Sequence, residues 1–298
     1  MNTFTNKLFA FSLFATLCAC VPFAKKESAF VKQHTADKAM NAVARLGVKV
    51  TGKEGTFDLC GASAISRNGD EYEFLTAGHY ATVYKASTKE TQPLTTLFPI
   101  KFFLVFESEG GDTPVTEMPA ELVAYGDRGQ FEDFAIFKVK TTRNIPLLPL
   151  YKGKDPVRIG EELVVVVAPL ERMGNLYLTG HISKPEIKVN YEVVEVNIKG
   201  AIPTQILGLG IGKGSSGSSV LSVKKNAVIG VISTTSFNEM GHVTLSLCPM
   251  SKFHPFYARY KKGLIKVPKT ENVSLLCENP TEECLELLKT YGMPIRLK

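Results

Sequence analysis

The chain has 298 residues, of which 44% are hydrophobic, so it is long enough and apolar enough to bury a sizeable core. Its formal net charge of +6 is modest for this length, and its lysine pairs are scattered rather than gathered into a basic block. We therefore expect a folded protein that does not bind nucleic acid.

The first residues of the chain have the pattern of an export signal. Lys7 is the one charged side chain among residues 1–24, and an apolar run from Leu8 to Leu17 follows it. A run of this length is shorter than a membrane span of about 20 residues, but it suits a signal peptide. We expect this signal to occupy residues 1–19.

The end of the apolar run contains a candidate lipidation site. Leu17-Cys18-Ala19-Cys20 resembles the bacterial lipobox, in which the cysteine corresponding to Cys20 is lipidated and becomes the first residue of the mature chain. Without an aspartate at position 21, the resemblance implies an anchor in the outer membrane. The alternative is a plain secretion signal that releases a periplasmic or secreted protein.

Residues 20–47 are predicted to form a polar tether followed by a short helix. Apolar residues recur at helical spacing from Ala36 to Leu46, and Gly47 would end the helix. After Gly47 the apolar period changes to two, which is typical of strands.

Residues 48–140 are predicted to form a first antiparallel barrel, with Asn68-Gly69 as a hairpin turn. Such a barrel places residues that end one strand near residues that open another. Its six predicted strands are Val48 to Val50, Leu59 to Ser66, Tyr72 to Thr76, Ile100 to Glu107, Ala120 to Tyr125 and Asp133 to Val139.

A second six-stranded barrel is predicted over residues 159–250, after a proline-containing linker at 141–158. Residues 251–298 would add a helix at 251–262 and an extension with another helix near Thr281 to Leu288. The fold class is therefore all-β. The strands predicted for the second barrel are Leu163 to Pro169, Leu176 to Ser183, Tyr191 to Ile198, Ser219 to Val223, Ala227 to Thr234 and Val243 to Leu247.

Three short strings carry candidate chemistry. Leu75-Thr76-Ala77-Gly78-His79 ends a predicted strand, Glu132-Asp133-Phe134-Ala135-Ile136 begins one, and Gly214-Ser215-Ser216-Gly217-Ser218 holds a glycine-flanked serine. A serine hydroxyl becomes a nucleophile when an imidazole takes its proton, and a carboxylate then orients the imidazole. His79, Asp133 and Ser216 are the predicted catalytic residues.

Two of these assignments have rivals nearby. Asp127 is also a carboxylate close to the predicted strand, but the apolar residues that follow Asp133 would bury it beside the histidine. Ser215 is also a hydroxyl in the serine string. Ser216 is favoured because a glycine lies two residues before it and another glycine follows it directly.

In this order, the three strings resemble the histidine, aspartate and serine motifs of trypsin-like serine peptidases. The resemblance covers roughly residues 45 to 255, and Leu163 to Ser183 resembles the bacterial quality-control branch of that family. It implies the chymotrypsin-type double barrel, a protein or peptide substrate, and hydrolysis through an acyl-enzyme. It also implies a reaction that needs neither metal nor cofactor.

The resemblance also assigns an oxyanion hole to the amides of Gly214 and Ser216. Three positions depart from the family pattern: Tyr80 replaces a cysteine found in many animal members, and Ser218 and Ser219 replace the residues usual after the nucleophile. These serines motivate the alternative of a pseudopeptidase that binds proteins without turning them over.

By the same resemblance, substrate-binding positions lie before the serine and on the strand after it. None of them is acidic, so a preference for a small or apolar side chain is expected rather than one for lysine or arginine. The family counterpart of Ser233 also hydrogen-bonds the catalytic aspartate. The substrate-binding positions are Gly210, Ile211, Ser233, Thr234 and Thr235.

The remaining cysteines are not spaced for a metal site, because no Cys-x-x-Cys occurs. Cys277 and Cys284 bracket a short loop in a chain expected to be exported, so a disulfide between them is predicted. Cys60 and Cys248 are predicted to be buried as small hydrophobic residues.

Overall fold

The architecture is that of two closed barrels, each with six antiparallel strands. The computed structural model describes residues 34, 37–51, 57–85, 88–106, 116–130, 132–153, 155, 158, 160–167, 176–188, 192–198, 214–237 and 243–268. The two barrels confirm the all-β fold class expected from the sequence.

The first barrel closes in the strand order β1-β2-β3-β8-β7-β6. A turn at Gly69, with a left-handed φ of 63°, joins β2 to β3 where the hairpin was predicted. The short hairpin β4-β5 lies outside the barrel and was not predicted. The strands are β1 (Val43–Val50), β2 (Phe57–Asn68), β3 (Glu71–Thr76), β4 (Thr82–Lys85), β5 (Glu90–Pro93), β6 (Ile100–Phe106), β7 (Thr116–Tyr125) and β8 (Ala135–Lys140).

The prediction of a helix from Ala36 to Leu46 is wrong in its second half. Residues 37–42 form a short helix, α1, but β1 begins at Val43. Leu46 pairs with Cys60 on one side and with Leu104 on the other. Two ladders of strand pairing and burial inside the barrel outweigh the local helical spacing of the apolar residues.

The second barrel closes in the order β10-β11-β14-β13-β12-β9. Residues 163–167 of β9 are all buried, as their continuous apolar run suggests. The strands are β9 (Glu162–Val167), β10 (Leu176–Lys188), β11 (Glu192–Ile198), β12 (Ser219–Ser222), β13 (Ala227–Phe237) and β14 (Val243–Pro249).

The segment between the barrels contacts both of them. The Leu148 amide donates to the carbonyl of Ala64 in the first barrel at 2.9 Å, and the Tyr151 amide donates to the carbonyl of Val228 in the second at 2.9 Å. Leu150 forms a parallel bridge with Val228. This segment therefore helps to fix how the two barrels meet.

Helix α2 (Met250–Lys261) leaves the second barrel and packs against the first. Phe253 and Phe256 are fully buried, and both rings contact Phe134, with centroid distances of 5.2 and 5.8 Å. Among the helices in the described ranges, none is long and apolar enough to cross a membrane. The helix predicted at 251–262 is confirmed, and it supports the segment next to Asp133.

Several predictions lie outside the described residues. They are the signal peptide at 1–19, the lipidation site Cys20, the Cys277–Cys284 disulfide and the helix near Thr281 to Leu288. Cys60 and Cys248 are both buried, as expected. Burial raises the pKa of both thiols, so they are neutral.

Candidate active site

His79 lies in a 3₁₀ turn, Gly78–Tyr80, that follows β3. This turn packs directly on the main chain beside Asp133, because a side chain at position 78 would place its Cβ 2.8 Å from the carbonyl oxygen of Phe134. Thr82 holds the turn by donating its hydroxyl to the Gly78 carbonyl at 2.8 Å. The histidine is thereby held against the start of β8.

Asp133 accepts hydrogen bonds on both of its carboxylate oxygens. Oδ1 accepts the His79 backbone N–H at 2.8 Å, and Oδ2 accepts the His79 Nδ1–H, also at 2.8 Å. The Ser233 hydroxyl donates to the same Oδ2 at 2.6 Å. These contacts fix the ring orientation and leave the lone pair of His79 on Nε2.

The hydrogen bonds at Asp133 also determine its charge. Burial alone would raise its pKa, but the attraction of His79 and the hydrogen bonds from His79 and Ser233 outweigh burial and lower the pKa to about 2. Asp133 is therefore ionised at every pH at which a peptidase is ordinarily assayed.

Asp127, the rival carboxylate, has a different place. Its Oδ1 accepts the Gly129 backbone N–H at 2.9 Å, and its Oδ2 accepts the Gln130 side-chain amide at 3.0 Å. It stabilises the 3₁₀ turn Arg128–Gln130, whereas Asp133 contacts the histidine.

The serine turn is held by main-chain hydrogen bonds from both barrels. The Ser216 carbonyl accepts the Gly61 N–H at 3.2 Å, and the Gly217 N–H donates to the Ile232 carbonyl at 2.8 Å. Gly217 has a φ of 83°, and a Cβ there would lie 2.2 Å from Thr76 Oγ1 and 2.3 Å from the Gly61 carbonyl oxygen. The glycine after the serine is therefore required by both backbone conformation and space.

The Ser216 side chain is buried, and its hydroxyl donates to the Ser233 carbonyl at 3.2 Å. Within the described part of the chain, no hydrogen bond joins this hydroxyl to His79. Ser233 thus contacts two predicted catalytic residues, Asp133 through its hydroxyl and Ser216 through its carbonyl. Hydrogen bonds connect His79, Asp133, Ser233 and Ser216 in one series.

Tyr80 stands out in the sequence only as a replacement for cysteine, and its contacts were not predicted. Its side chain is 6% exposed, and its ring lies against the His79 ring with centroids 4.2 Å apart. Burial raises the pKa of the Tyr80 phenol well above its ordinary value, so the hydroxyl keeps its proton. The signal in the sequence was a large polar aromatic residue directly after the predicted base.

The structure describes only some of the predicted substrate-binding positions. Gly210 and Ile211 lie outside the described residues. Thr234 and Thr235 belong to β13, where they pair with Ser246 and Leu245 of β14.

Comparisons of the sequence alone find no relatives: no protein-family model matches it, and no curated protein sequence matches it. Solved structures do match. The serine endoprotease from Yersinia pestis superposes with a TM-score of 0.50 at 14% sequence identity, covering 78% of this chain and 67% of that one. The HtrA-type protease AlgW, solved with a decapeptide, gives a TM-score of 0.53 at 17% identity, covering 76% and 66%.

These two structures agree with the barrel topology described above. The chain spans about two thirds of the length of each of them. The chain has the chymotrypsin-type fold of these serine proteases, as the sequence motifs led us to expect, and at this level of identity the likeness concerns the fold.

Proposed function

We propose that this chain is a serine endopeptidase in which Ser216, His79 and Asp133 hydrolyse peptide bonds. The observation that carries the proposal is the series of hydrogen bonds from His79 through Asp133 and Ser233 to Ser216. Both barrels contribute to it, and its chemistry is that of a nucleophile, a base and a carboxylate that orients the base.

The proposed reaction starts with proton transfer from Ser216 to His79. Nε2 of His79 takes the hydroxyl proton while Oγ of Ser216 bonds to the substrate carbonyl carbon. Asp133 stabilises the imidazolium that results. His79 then returns the proton to the leaving amine as the C–N bond breaks, and water attacks the acyl-enzyme by the same route to release the acid.

The negative oxygen of the tetrahedral intermediate needs hydrogen-bond donors. The backbone amides of Gly214 and Ser216 are the proposed donors, because both belong to the tight turn that carries the nucleophile. Gly214 has a φ of 91°, a conformation that residues with a Cβ rarely adopt. A glycine at this position thus lets the turn direct its amides to one point.

The substrate backbone is proposed to pair with β13 beyond Ile232. Strand β12 pairs with β13 only as far as Val231, whereas β14 pairs with it up to Phe237, so among the described strands this stretch has one partner. An extended peptide can add to such an edge. Thr234 and Thr235 would then contact it, with Gly210 and Ile211 forming a pocket for a small or apolar side chain.

The proposed activity is tested with purified protein and fluorescein-labelled casein. We expect hydrolysis by the wild type, loss of hydrolysis in Ser216→Ala and retention of it in the matched control Ser215→Ala. Full activity in Ser216→Ala would mean that the wrong serine has been assigned.

A second candidate function is a pseudopeptidase that binds peptides without cleaving them. It is favoured by the Ser216 hydroxyl, which donates to the Ser233 carbonyl rather than facing the base. Catalytic hydrogen bonds often form only when substrate binds, so this geometry also fits a resting peptidase. A folded wild type that binds casein but never cleaves it would support the pseudopeptidase.

We propose further that the chain is exported and anchored by lipid on Cys20. The support is the single charge before the apolar run, the Leu-x-Ala-Cys string and the polar stretch that follows. Intact mass of the mature protein tests this proposal, with acyl chains expected on an N-terminal Cys20. A soluble mature chain without lipid would leave an ordinary secreted protein.

A further inference from the structure

Thr76 lies where the two barrels meet. It is the last residue of β3, the strand that leads to His79, and its side chain is fully buried. Its hydroxyl donates to the Gly61 carbonyl at 2.6 Å. A buried hydroxyl costs free energy unless it is hydrogen-bonded, so this bond holds the Thr76 side chain in one orientation.

Gly61 connects this hydroxyl to the backbone of the proposed nucleophile. The Gly61 carbonyl accepts from Thr76, and the Gly61 N–H donates to the Ser216 carbonyl at 3.2 Å. Gly61 belongs to β2 in the first barrel, whereas Ser216 lies in the turn before β12 in the second. Thr76 therefore holds the residue of the first barrel to which the serine turn is bonded.

The same hydroxyl also packs against the residue that follows the nucleophile. A Cβ at Gly217 would lie 2.2 Å from Thr76 Oγ1, so this oxygen occupies the space beside the Gly217 main chain. The Gly217 N–H donates to the Ile232 carbonyl at 2.8 Å. The serine turn is thus held both by a hydrogen bond to β13 and by contact with Thr76.

Cys60 supplies a second hydrogen bond to the hydroxyl. Its Sγ lies 3.2 Å from Thr76 Oγ1. Because the Thr76 proton is directed at the Gly61 carbonyl, the thiol is the donor of this bond. Burial raises the pKa of Cys60, so the thiol keeps the proton that it donates. Thr76 therefore donates one hydrogen bond and accepts another.

We propose that Thr76 is a positioning residue whose hydroxyl fixes the serine turn relative to the strand that leads to His79. The proposal rests on the serine peptidase function proposed above. Ser216 and His79 come from different barrels, so the distance between them depends on contacts at the junction. A misplacement of about 1 Å in such a pair can cost about a hundredfold in rate.

Two variants that differ only in a hydroxyl, Thr76→Ala and Thr76→Ser, test this role. The measurement is the rate at which a fluorophosphonate probe labels Ser216. We expect Thr76→Ala to lower the maximal rate at saturating probe about tenfold, with little change in the probe concentration for half-maximal rate, because positioning affects bond formation rather than binding. Thr76→Ser should restore most of the rate. Thr76→Val, a second variant without the hydroxyl, should show the same decrease as Thr76→Ala.

Thr96→Ala is the matched control. Thr96 is also buried, in the segment between β5 and β6, and its hydroxyl donates to the Pro93 carbonyl at 2.7 Å. This variant should lower the urea midpoint of unfolding much as Thr76→Ala does, because each loses one buried hydrogen bond. It should nevertheless label at the wild-type rate.

Three outcomes would overturn the role of Thr76 alone. They are wild-type labelling of Thr76→Ala, labelling of Thr76→Ser as slow as that of Thr76→Ala, and an equal decrease in Thr96→Ala. A folded wild type that does not label would overturn the peptidase proposal as well.

Discussion

The two halves of the candidate site are held in different ways. His79 and Asp133, both from the first barrel, are joined by two hydrogen bonds of 2.8 Å. Ser216, from the second barrel, is held through its backbone by Gly61, while its hydroxyl faces Ser233. The base is therefore fixed by side-chain contacts, whereas the direction of the nucleophile depends on one side-chain torsion.

This difference separates what each half contributes. Changes in the first half should alter the protonation and tautomer of the base while leaving the serine turn in place. Changes in the second half should alter the approach of the nucleophile and the stability of the junction between the barrels.

The largest effect is expected from Asp133→Asn, which changes the hydrogen-bonded pair of His79 and Asp133 in the first barrel. An amide there disrupts the tautomer of His79 that accepts the serine proton, so kcat for peptide hydrolysis should fall about ten-thousandfold. Asp127→Asn is the control and should retain wild-type kcat. The reverse outcome, with only Asp127→Asn inactive, would assign the orienting role to the wrong carboxylate.

The pH dependence of activity tests whether the carboxylate stays ionised. Asp133, with a pKa of about 2, remains charged over the range of ordinary assays, so the loss of activity on the acid side should require one proton, bound by the base, and not a second one on the carboxylate. The measurement is kcat/KM against pH. A loss that requires two protons, or a flat profile, would contradict a single histidine base.

Gly217→Ala should disturb the turn that carries Ser216 in the second barrel. The new Cβ would approach Thr76 Oγ1 and the Gly61 carbonyl within 2.3 Å at a left-handed φ, so we expect about 3 kcal/mol of destabilisation and a strong loss of labelling. Gly69→Ala is the control, because it has a φ of 63° and nothing within 4 Å of the added atom. Urea unfolding measures the free energy of unfolding of both variants. An equal decrease in the two would show that the left-handed φ alone, and not the crowding at Gly217, destabilises the protein.

A smaller effect is expected from Ser233→Ala, because Ser233 is hydrogen-bonded to both Asp133 and Ser216. It removes the hydroxyl bonded to Asp133 but keeps the carbonyl that faces Ser216. One lost hydrogen bond to a charged group should lower kcat about tenfold. An unchanged kcat would mean that the two bonds from His79 are sufficient to hold the carboxylate.

Substitution of Glu73 should change the pH dependence of the stability of the fold without changing the active site. Burial would raise the pKa of Glu73, but hydrogen bonds from Lys261, Tyr257 and Tyr260 lower it below 4.5. A lowered carboxyl pKa stabilises the fold above pH 4.5, and this contribution is lost as the pH falls through the folded value. Thermal unfolding against pH should therefore show a shallower acid loss in Glu73→Gln, with unchanged kcat. Parallel curves for the two proteins would contradict this assignment.

The sequence predicted the barrels because alternation and hairpin signals are local. The sequence predicted Asp133 as the first residue of a strand, whereas β8 begins two residues later at Ala135. It missed the start of β1 at Val43, since pairing with strands distant in sequence decides that boundary.

Contacts between the two barrels could not be predicted by local pattern. The crowding around Gly217, where an added Cβ would lie 2.2 Å from Thr76 Oγ1, comes from a residue of the other barrel. The bond from Ser233 to Asp133 was expected only through resemblance to a family, because neither residue reveals its partner by spacing.

The most direct test of the central claim is fluorophosphonate labelling followed by peptide mapping with mass spectrometry. We predict a single adduct on Ser216 in the wild type and none in His79→Ala, since the probe requires a serine activated by its base. An adduct on Ser215, an adduct that persists in His79→Ala, or no adduct on folded wild-type protein would contradict the proposed triad.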